Sequence, residues 1–286
     1  MIKRLITDWK WIINPPENYG WYHLMWLAIM IAATILSCVF LAKKHNKKTD
    51  DKFIFSIGFM LIVIEIYKQI FYTLDAGRYQ WYSFPFQFCS VPMFVAFIAP
   101  LIKKESIKEA MYKFLATFGL IAGISVMLYP DSTLNTPYIT ILVHTMLWHS
   151  SMVVMGVYLI VARGYGKNIF KDLLPALYIF LIIVAIAVVT NLIAYHTYFN
   201  PELGLDPYEN SFNLLFLSPY YDSPLPILSD IKELANGQLN FMYIVFLLCY
   251  IVAFTLGVLL VLSFVYLIRY LHEVKHVKNR KSSKNI

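Results

Sequence analysis

Among the residues able to do chemistry in this chain, one thiol has the least ordinary surroundings. Cys89 lies in Phe84-Pro85-Phe86-Gln87-Phe88-Cys89-Ser90-Val91-Pro92, an apolar stretch broken by two prolines and carrying an amide, a thiol and a hydroxyl. Imidazoles follow at His144 and His149, beside Thr145, Ser150 and Ser151. A thiol near an imidazole suits nucleophilic acyl transfer. His149 takes the proton, Cys89 attacks an ester or thioester carbonyl, and the acyl chain passes to an acceptor or to water. Glu65 or Asn191 would orient the imidazole, and Gln87 would donate to the developing oxyanion. Each residue also has a plainer reading: a cysteine in an apolar run is most often a small buried hydrophobe, and a membrane histidine more often bridges helices than reacts.

Other polar groups sit in apolar runs. Glu65, Lys68, Gln69 and Tyr72 are spaced i, i+3, i+4, i+7 and so share one helical face. Glu65 with Lys68 reads either as a neutralised packing pair or as a functional one. An ionisable group in hydrocarbon costs roughly 2.5–3.5 kcal/mol on insertion scales, so this set needs partners or a cavity. His144 and His149 are separated by about 140° around a helix and do not form an i, i+4 metal pair. No metal and no cofactor are expected.

These residues need a membrane scaffold. Of the 286 residues 59% are hydrophobic and 14% charged, too few charges to cover a soluble protein. The net charge of +7 is held in short blocks between apolar runs, so no nucleic-acid partner is expected. Cys38, Cys89 and Cys249 all fall in apolar runs and give no disulfide framework. The expected fold is all-α, a multi-pass bundle of seven transmembrane helices in the cell membrane. The spans are Trp21–Leu41, Phe53–Leu74, Phe84–Ile102, Met111–Tyr129, Tyr138–Ala162, Leu173–Tyr195 and Asn240–Ile268, near the ~20 residues that cross ~30 Å of hydrocarbon. Lys and Arg number 17 in the connections 42–52, 103–110 and 163–172 and the tail 269–286, against 5 in the lead 1–20 and the connections 75–83, 130–137 and 196–239. Positive-inside logic puts the N-terminus outside and the C-terminus in the cytoplasm.

The lead 1–20 lacks the cleavage site of a signal peptide. The connection 196–239 is long, acidic and proline-rich, yet its Phe212–Leu217 is too apolar for a floating loop, which leaves a lid or re-entrant piece and a disordered linker as the two readings. The tail 269–286 is polybasic and reads as an inner-leaflet contact. Cys89 lies 14 residues before Lys103, His149 14 before Arg163, and Glu65 13 after Lys52. At ~1.5 Å per residue all three stand about 20 Å from the cytoplasmic surface, with Lys68, Gln87, His144 and Asn191 farther out. A shared cavity in the outer half of the bilayer follows as the expectation. Within the third span, Pro85 is expected in the first turn, Cys89 near the positive helix end, and Pro92 at a kink that frees the Phe88 carbonyl.

The stretch Phe84–Ser90 resembles the apolar-Pro-apolar-His/Gln-apolar-Cys signature of the YwaF-like bacterial integral membrane proteins. Glu65-Ile66-Tyr67-Lys68 and His144-Thr145-Met146-Leu147-Trp148-His149 are similar to that family's acidic and histidine-bearing helices, and Asn213-Leu214-Leu215-Phe216-Leu217 to a weaker motif before its last span. The likeness covers roughly residues 20–270. That family in turn resembles a eukaryotic transmembrane acyltransferase family acting on lyso-ether phospholipids, with a Cys in this motif and a His about sixty residues later; Cys89 and His149 are 60 apart. The resemblance implies Cys89 as nucleophile, His149 as base, with Glu65 beside them and Lys68, Gln69, Gln87, Ser90, His144, Asn191 and Asn213 lining the site. Gln87 stands where many bacterial members carry His, and Ser150 where glycine is common. The implied partners are membrane lipids, one of them an acyl-lipid substrate; no oligomeric state is specified. A transporter or small-molecule binder, in which Glu65 and Lys68 line a path, and a non-catalytic membrane subunit are the alternatives.

Overall fold

In a computed structural model, residues 13–199 and 211–282 are described. Residues 1–12, the loop acids Glu202, Asp206 and Glu209, and the last four residues lie outside them. No β-strand occurs among the described residues. Besides a single α-helical turn at Asp131–Leu134, the helices are α1 (Trp21–Leu36, continued by a π turn Ser37–Leu41), α2 (Lys47–Ala76), α3 (Val91–Ile98, continued by a 3-10 turn Ala99–Leu101), α4 (Glu105–Phe114), α5 (Leu120–Leu128), α6 (Ile139–Arg163), α7 (Ile169–Ala194), α8 (Leu228–Glu233) and α9 (Phe241–Ser282). A π turn, Leu115–Gly119, joins α4 and α5 into one rod.

Local sequence sets the ends. Asn46 caps α2, its Oδ1 accepting from the Thr49 N–H at 2.9 Å, and Asp50 follows in the first turn. Gly77, at φ 73°, ends the same helix in the left-handed conformation that a residue without Cβ adopts freely. Asn168 caps α7 in the same way, accepting from Lys171 at 3.1 Å.

Among the described residues, six helices are long and apolar enough to cross a membrane: Trp21–Leu41, Lys47–Ala76, Glu105–Leu128, Ile139–Arg163, Ile169–Phe199 and Phe241–Val274. Of their apolar windows, 67% of Glu105–Leu128 and 72% of Ile139–Arg163 is buried, against 6% of Trp21–Leu41 and 17% of Phe241–Val274. The α4–α5 rod and α6 therefore form the centre, and α1 and α9 present apolar faces outward, as a lipid solvent allows.

The expected third span differs. Residues 84–90 are irregular, and helix begins only at Val91, leaving a short apolar helix Val91–Leu101. Pro92 sits in the first turn of α3, where a missing N–H does no harm, so it starts a helix instead of kinking one. The Phe88 carbonyl is accordingly not freed from any helix, Pro85 lies in the irregular stretch, and Cys89 precedes the helix.

One end of the bundle is tied by ions. Arg163, closing α6, donates from Nε to Asp50 Oδ2 at 2.8 Å and from Nη1 to Glu109, while its guanidinium lies 4.6 Å from the Tyr112 ring centre. Tyr158 donates to Asp50 at 2.7 Å, Tyr112 and Lys108 to Asp51 at 2.6 Å, and Tyr165 to Glu109 at 2.6 Å. Acids near the N-termini of α2 and α4 thus meet a cation at the C-terminus of α6, each complementing its helix dipole.

Helices α2 and α3 touch backbone to backbone at Gly58, where a Cβ would lie 2.6 Å from the Phe97 nitrogen. Gly58→Ala is expected to lower the thermal midpoint in detergent by the equivalent of about 1–3 kcal/mol. Gly119→Ala, whose Cβ meets the Pro92 ring at an ordinary 3.6 Å, serves as the control with little loss. Equal midpoints for the two would contradict this packing.

Candidate functional site

The irregular stretch 84–90 turns on itself: the Ser90 and Val91 N–H groups donate to the Gln87 carbonyl at 2.8 and 3.1 Å. Its other polar groups are met from elsewhere. The Leu215 N–H donates to the Phe86 carbonyl at 3.2 Å and the Trp148 indole on α6 to the Cys89 carbonyl at 2.8 Å, while Gln69 Nε2 on α2 holds the Ser83 carbonyl, just before the stretch, at 2.7 Å. Cys89 is half-buried as a residue, with Ser90 beside it at the end of the turn. Phe88 fills the wall behind it, its ring 4.2 Å from Phe254 and 5.9 Å from Phe180.

Glu65 is the hub of the polar set. Its Oε1 accepts from Lys68 and from Gln69, each at 2.7 Å, and its Oε2 faces His144 Nε2 at 3.3 Å, off line for a hydrogen bond. The His144 ring stacks on Trp148 with centroids 5.0 Å apart. Lys68 stands within electrostatic reach of Glu65, Cys89, His144 and His149 alike.

His149 is held differently from the expectation. Its Nδ1 contacts the Thr145 carbonyl at 2.8 Å, and Nε2 is buried without a partner. Glu65 faces His144 instead, and Asn191 has another task. The Asn191 amide clamps a backbone unit: its Nδ2 donates to the Leu214 carbonyl at 3.0 Å and its Oδ1 accepts from the Leu214 N–H at 2.8 Å. Gln87 likewise spends its Nε2 on the Asn213 carbonyl at 3.0 Å.

The apolar piece of the long connection is the object of that clamp. Leu214, Leu215 and Leu217 are buried, and Leu215 and Phe216 take left-handed φ values of 53° and 58°. Such strain persists only where the surroundings over-determine it. Here Asn213 accepts from the Ser218 N–H at 2.8 Å and donates to the Asp222 carbonyl at 3.0 Å, Tyr243 donates to the Leu217 carbonyl at 2.7 Å, and the buried Lys232 donates to the Phe216 carbonyl at 3.3 Å and to that of Tyr221. A cavity of about 480 Å³ opens beside this segment, lined by Tyr82, Gln87, Asn213, Phe216, Tyr220 and Asp222.

Trp148 and Tyr250 escaped the sequence reading. An indole in an apolar run needs a hydrogen-bond partner, and that rule singles out Trp148 next to His149. Tyr250 is wholly buried with an unpartnered hydroxyl and lies within electrostatic reach of Cys89; in sequence it looks like one more aromatic. Among the described residues, no group of three or more His, Cys, Asp and Glu could hold a metal ion.

Fold and site define a multi-pass helical membrane protein with a thiol, two imidazoles and an ion pair buried among its helices. The chain matches the TMEM164 family model over residues 18–266, and it belongs to that family. No curated protein and no solved structure matches it.

Asn191→Ala would strand the buried N–H and carbonyl of Leu214, a loss of about 2–5 kcal/mol, seen as a lowered thermal midpoint and faster proteolysis of 211–223. An unchanged midpoint and cleavage rate would remove the clamp. Lys232 gives a pH signature. Burial pushes its ammonium down to about 8, with Asp222 pulling it back up. The folded value lies below the unfolded one, so the cost of burying the charge is fully present below pH 8 and is lost as pH rises toward the unfolded value. Wild-type stability, measured relative to Lys232→Met, is expected to climb between about pH 8 and 10.5 by on the order of 3 kcal/mol. A flat difference across that window would contradict it.

Proposed function

We propose that this TMEM164 family protein is a Cys/His-dependent lipid acyltransferase or acyl hydrolase. The site stands in the outer half of the cell membrane, in a chain that crosses seven times with its N-terminus outside. The basic residues gathered in alternate connections favour that orientation, and the short Val91–Leu101 helix with its irregular lead supplies the seventh crossing.

The observation that carries the chemistry is the state of His149. A carbonyl only accepts, so Nδ1 facing the Thr145 carbonyl bears the proton, and the lone pair is left on the buried, unpartnered Nε2. Leaving such an acceptor unsatisfied costs about 1–3 kcal/mol. A general base needs this tautomer. Lys68 stands in reach of both Cys89 and His149 and is held there by Glu65. The resemblance to the YwaF-like proteins, and through them to lyso-ether phospholipid acyltransferases, supports the same roles.

The steps follow. His149 Nε2 takes the Cys89 proton, and the sulfur attacks the ester carbonyl of an acyl lipid. The C–S bond forms and the ester C–O bond breaks, the departing lyso-lipid oxygen taking the proton from the imidazolium. An acceptor hydroxyl, or water, then gives its proton to Nε2 and attacks the thioester; the new C–O bond forms and the thiol is released. Both Glu65 and the wall of Phe88, Phe180 and Phe254 serve the site without reacting. The cavity beside Gln87, two residues from the thiol, supports a polar headgroup reaching the site while the acyl chain lies in the bilayer.

In a Cys38→Ser, Cys249→Ser background, covalent labelling by a lipid-like acylating probe is expected to vanish in Cys89→Ala and to slow by about 10²–10⁴-fold in His149→Ala. Labelling indifferent to both substitutions sinks the enzyme reading in favour of a transporter or non-catalytic subunit.

A further inference from the structure

Cys89 sits on a stretch of the bundle's interior that no helix holds. Its thiol can be presented to His149 only if the turn 87–90 is fixed by something outside it. The turn's own bonds, from Ser90 and Val91 to the Gln87 carbonyl, fix its start. The Cys89 carbonyl has no such internal partner. Instead the Trp148 indole donates to it at 2.8 Å, across 59 residues of sequence. Trp148 is 2% exposed, so the bond is shielded from competing water. Its helix neighbour is His149, so one rigid segment of α6 carries both the grip on the nucleophile's backbone and the base. A face of the indole stacks on His144, whose Nε2 stands 3.3 Å from Glu65 Oε2. Glu65 is in turn fixed by Lys68 and Gln69.

We propose that Trp148 is a positioning residue: its indole N–H holds the Cys89 carbonyl so that the thiol faces His149, and its stack on His144 ties that grip to Glu65. The inference rests on the Cys89/His149 reading. It explains why a bulky indole is buried on α6, and it gives Glu65 and His144 a role although neither orients His149. No proton passes through Trp148. Its contribution is the placement of one peptide unit, which sets the distance and angle at which sulfur meets its base.

The test uses the full-length protein in nanodiscs, in the Cys38→Ser, Cys249→Ser background. Trp148→Phe keeps an aromatic ring over His144 and removes the N–H. The benzothiophene isostere of tryptophan, inserted at 148 by codon suppression, keeps size and shape and removes only the donor. Both are expected to lower the maximal rate of Cys89 acylation about tenfold or more while the half-saturating probe concentration stays within about twofold. A role limited to packing would spare the isostere, or would change probe binding and rate together. Coupling is read by adding Glu65→Gln: with Trp148→Phe present, the further loss should be smaller than the loss Glu65→Gln causes alone. Wild-type acylation rates in the isostere variant, with labelling still abolished by Cys89→Ala, overturn the inference alone. Labelling that survives Cys89→Ala overturns the underlying reading, and the inference with it.

Discussion

Backbone that is not helical must find its hydrogen bonds elsewhere, and in lipid it cannot find them in water. The stretch 84–90 is where this protein meets that constraint, and much of the architecture is arranged to satisfy it. Four elements contribute: α2 through Gln69 on the Ser83 carbonyl at its entry, α6 through Trp148, the buried segment 213–215 through the Leu215 N–H, and the turn itself through the Gln87 carbonyl. A helix across 84–90 would have closed those bonds locally and left no reason for any of the four. The arrangement also explains the central place of α6. Its sequence must present Trp148 to one neighbour, His144 to another, and an unengaged His149 nitrogen to the space between.

The second constraint follows from the first. A segment that donates to the irregular stretch must itself be held, and 212–218 is strained at two consecutive residues. Asn191, Asn213, Tyr243 and Lys232 supply its hydrogen bonds, and all are polar groups that would be costly in lipid without this use. Buried amides, more than ions, are therefore the adhesive of this half of the bundle. The opposite end uses the alternative: Arg163 with Asp50 and Glu109, reinforced by three tyrosine hydroxyls, where helix ends carry partial charges for the ions to oppose. The two ends differ because one must close around irregular backbone and the other must only clamp regular helices.

The sequence made the spans legible because apolar runs and basic blocks are one-dimensional signals. Their limits shift by only a few residues, as at Phe53–Leu74 against Lys47–Ala76. The third span misled because Phe84–Pro92 is as apolar as a helix, and hydropathy does not register that two prolines and a turn take the place of the helical bonds. Pro92 is ambiguous in the same way: it breaks a helix in the middle and suits one at the start, and only the position of the first turn decides. The polar residues on α2 were visible as a face because their spacing is periodic. Asn191 was visible as a buried amide but not as a clamp, since its partner is backbone 23 residues away and carries no side-chain signature. Arg163 and Asp50 looked like loop charges because each stands at a helix end.

The same logic bears on why a site in this fold would pair a thiol with irregular backbone. On a regular helix the rotation and depth of a side chain are fixed by the period, and a thiol three or four residues along points at a neighbouring helix wherever the packing puts it. A turn frees the direction of Cys89 from that period, and it leaves the residue dependent on tethers from other elements. Those tethers come from α2 and α6, the helices that also carry Glu65, Lys68, His144 and His149. A small slide of α6 would move the base and the grip on the Cys89 carbonyl together, so their relation survives motions that would separate side chains on independent helices. The close approach at Gly123, where a Cβ would stand 2.9 Å from the His149 carbonyl, opposes a slide of α6 against α5 as well. The unwound stretch is thus the least helical part of the bundle and, through its tethers, among the most constrained.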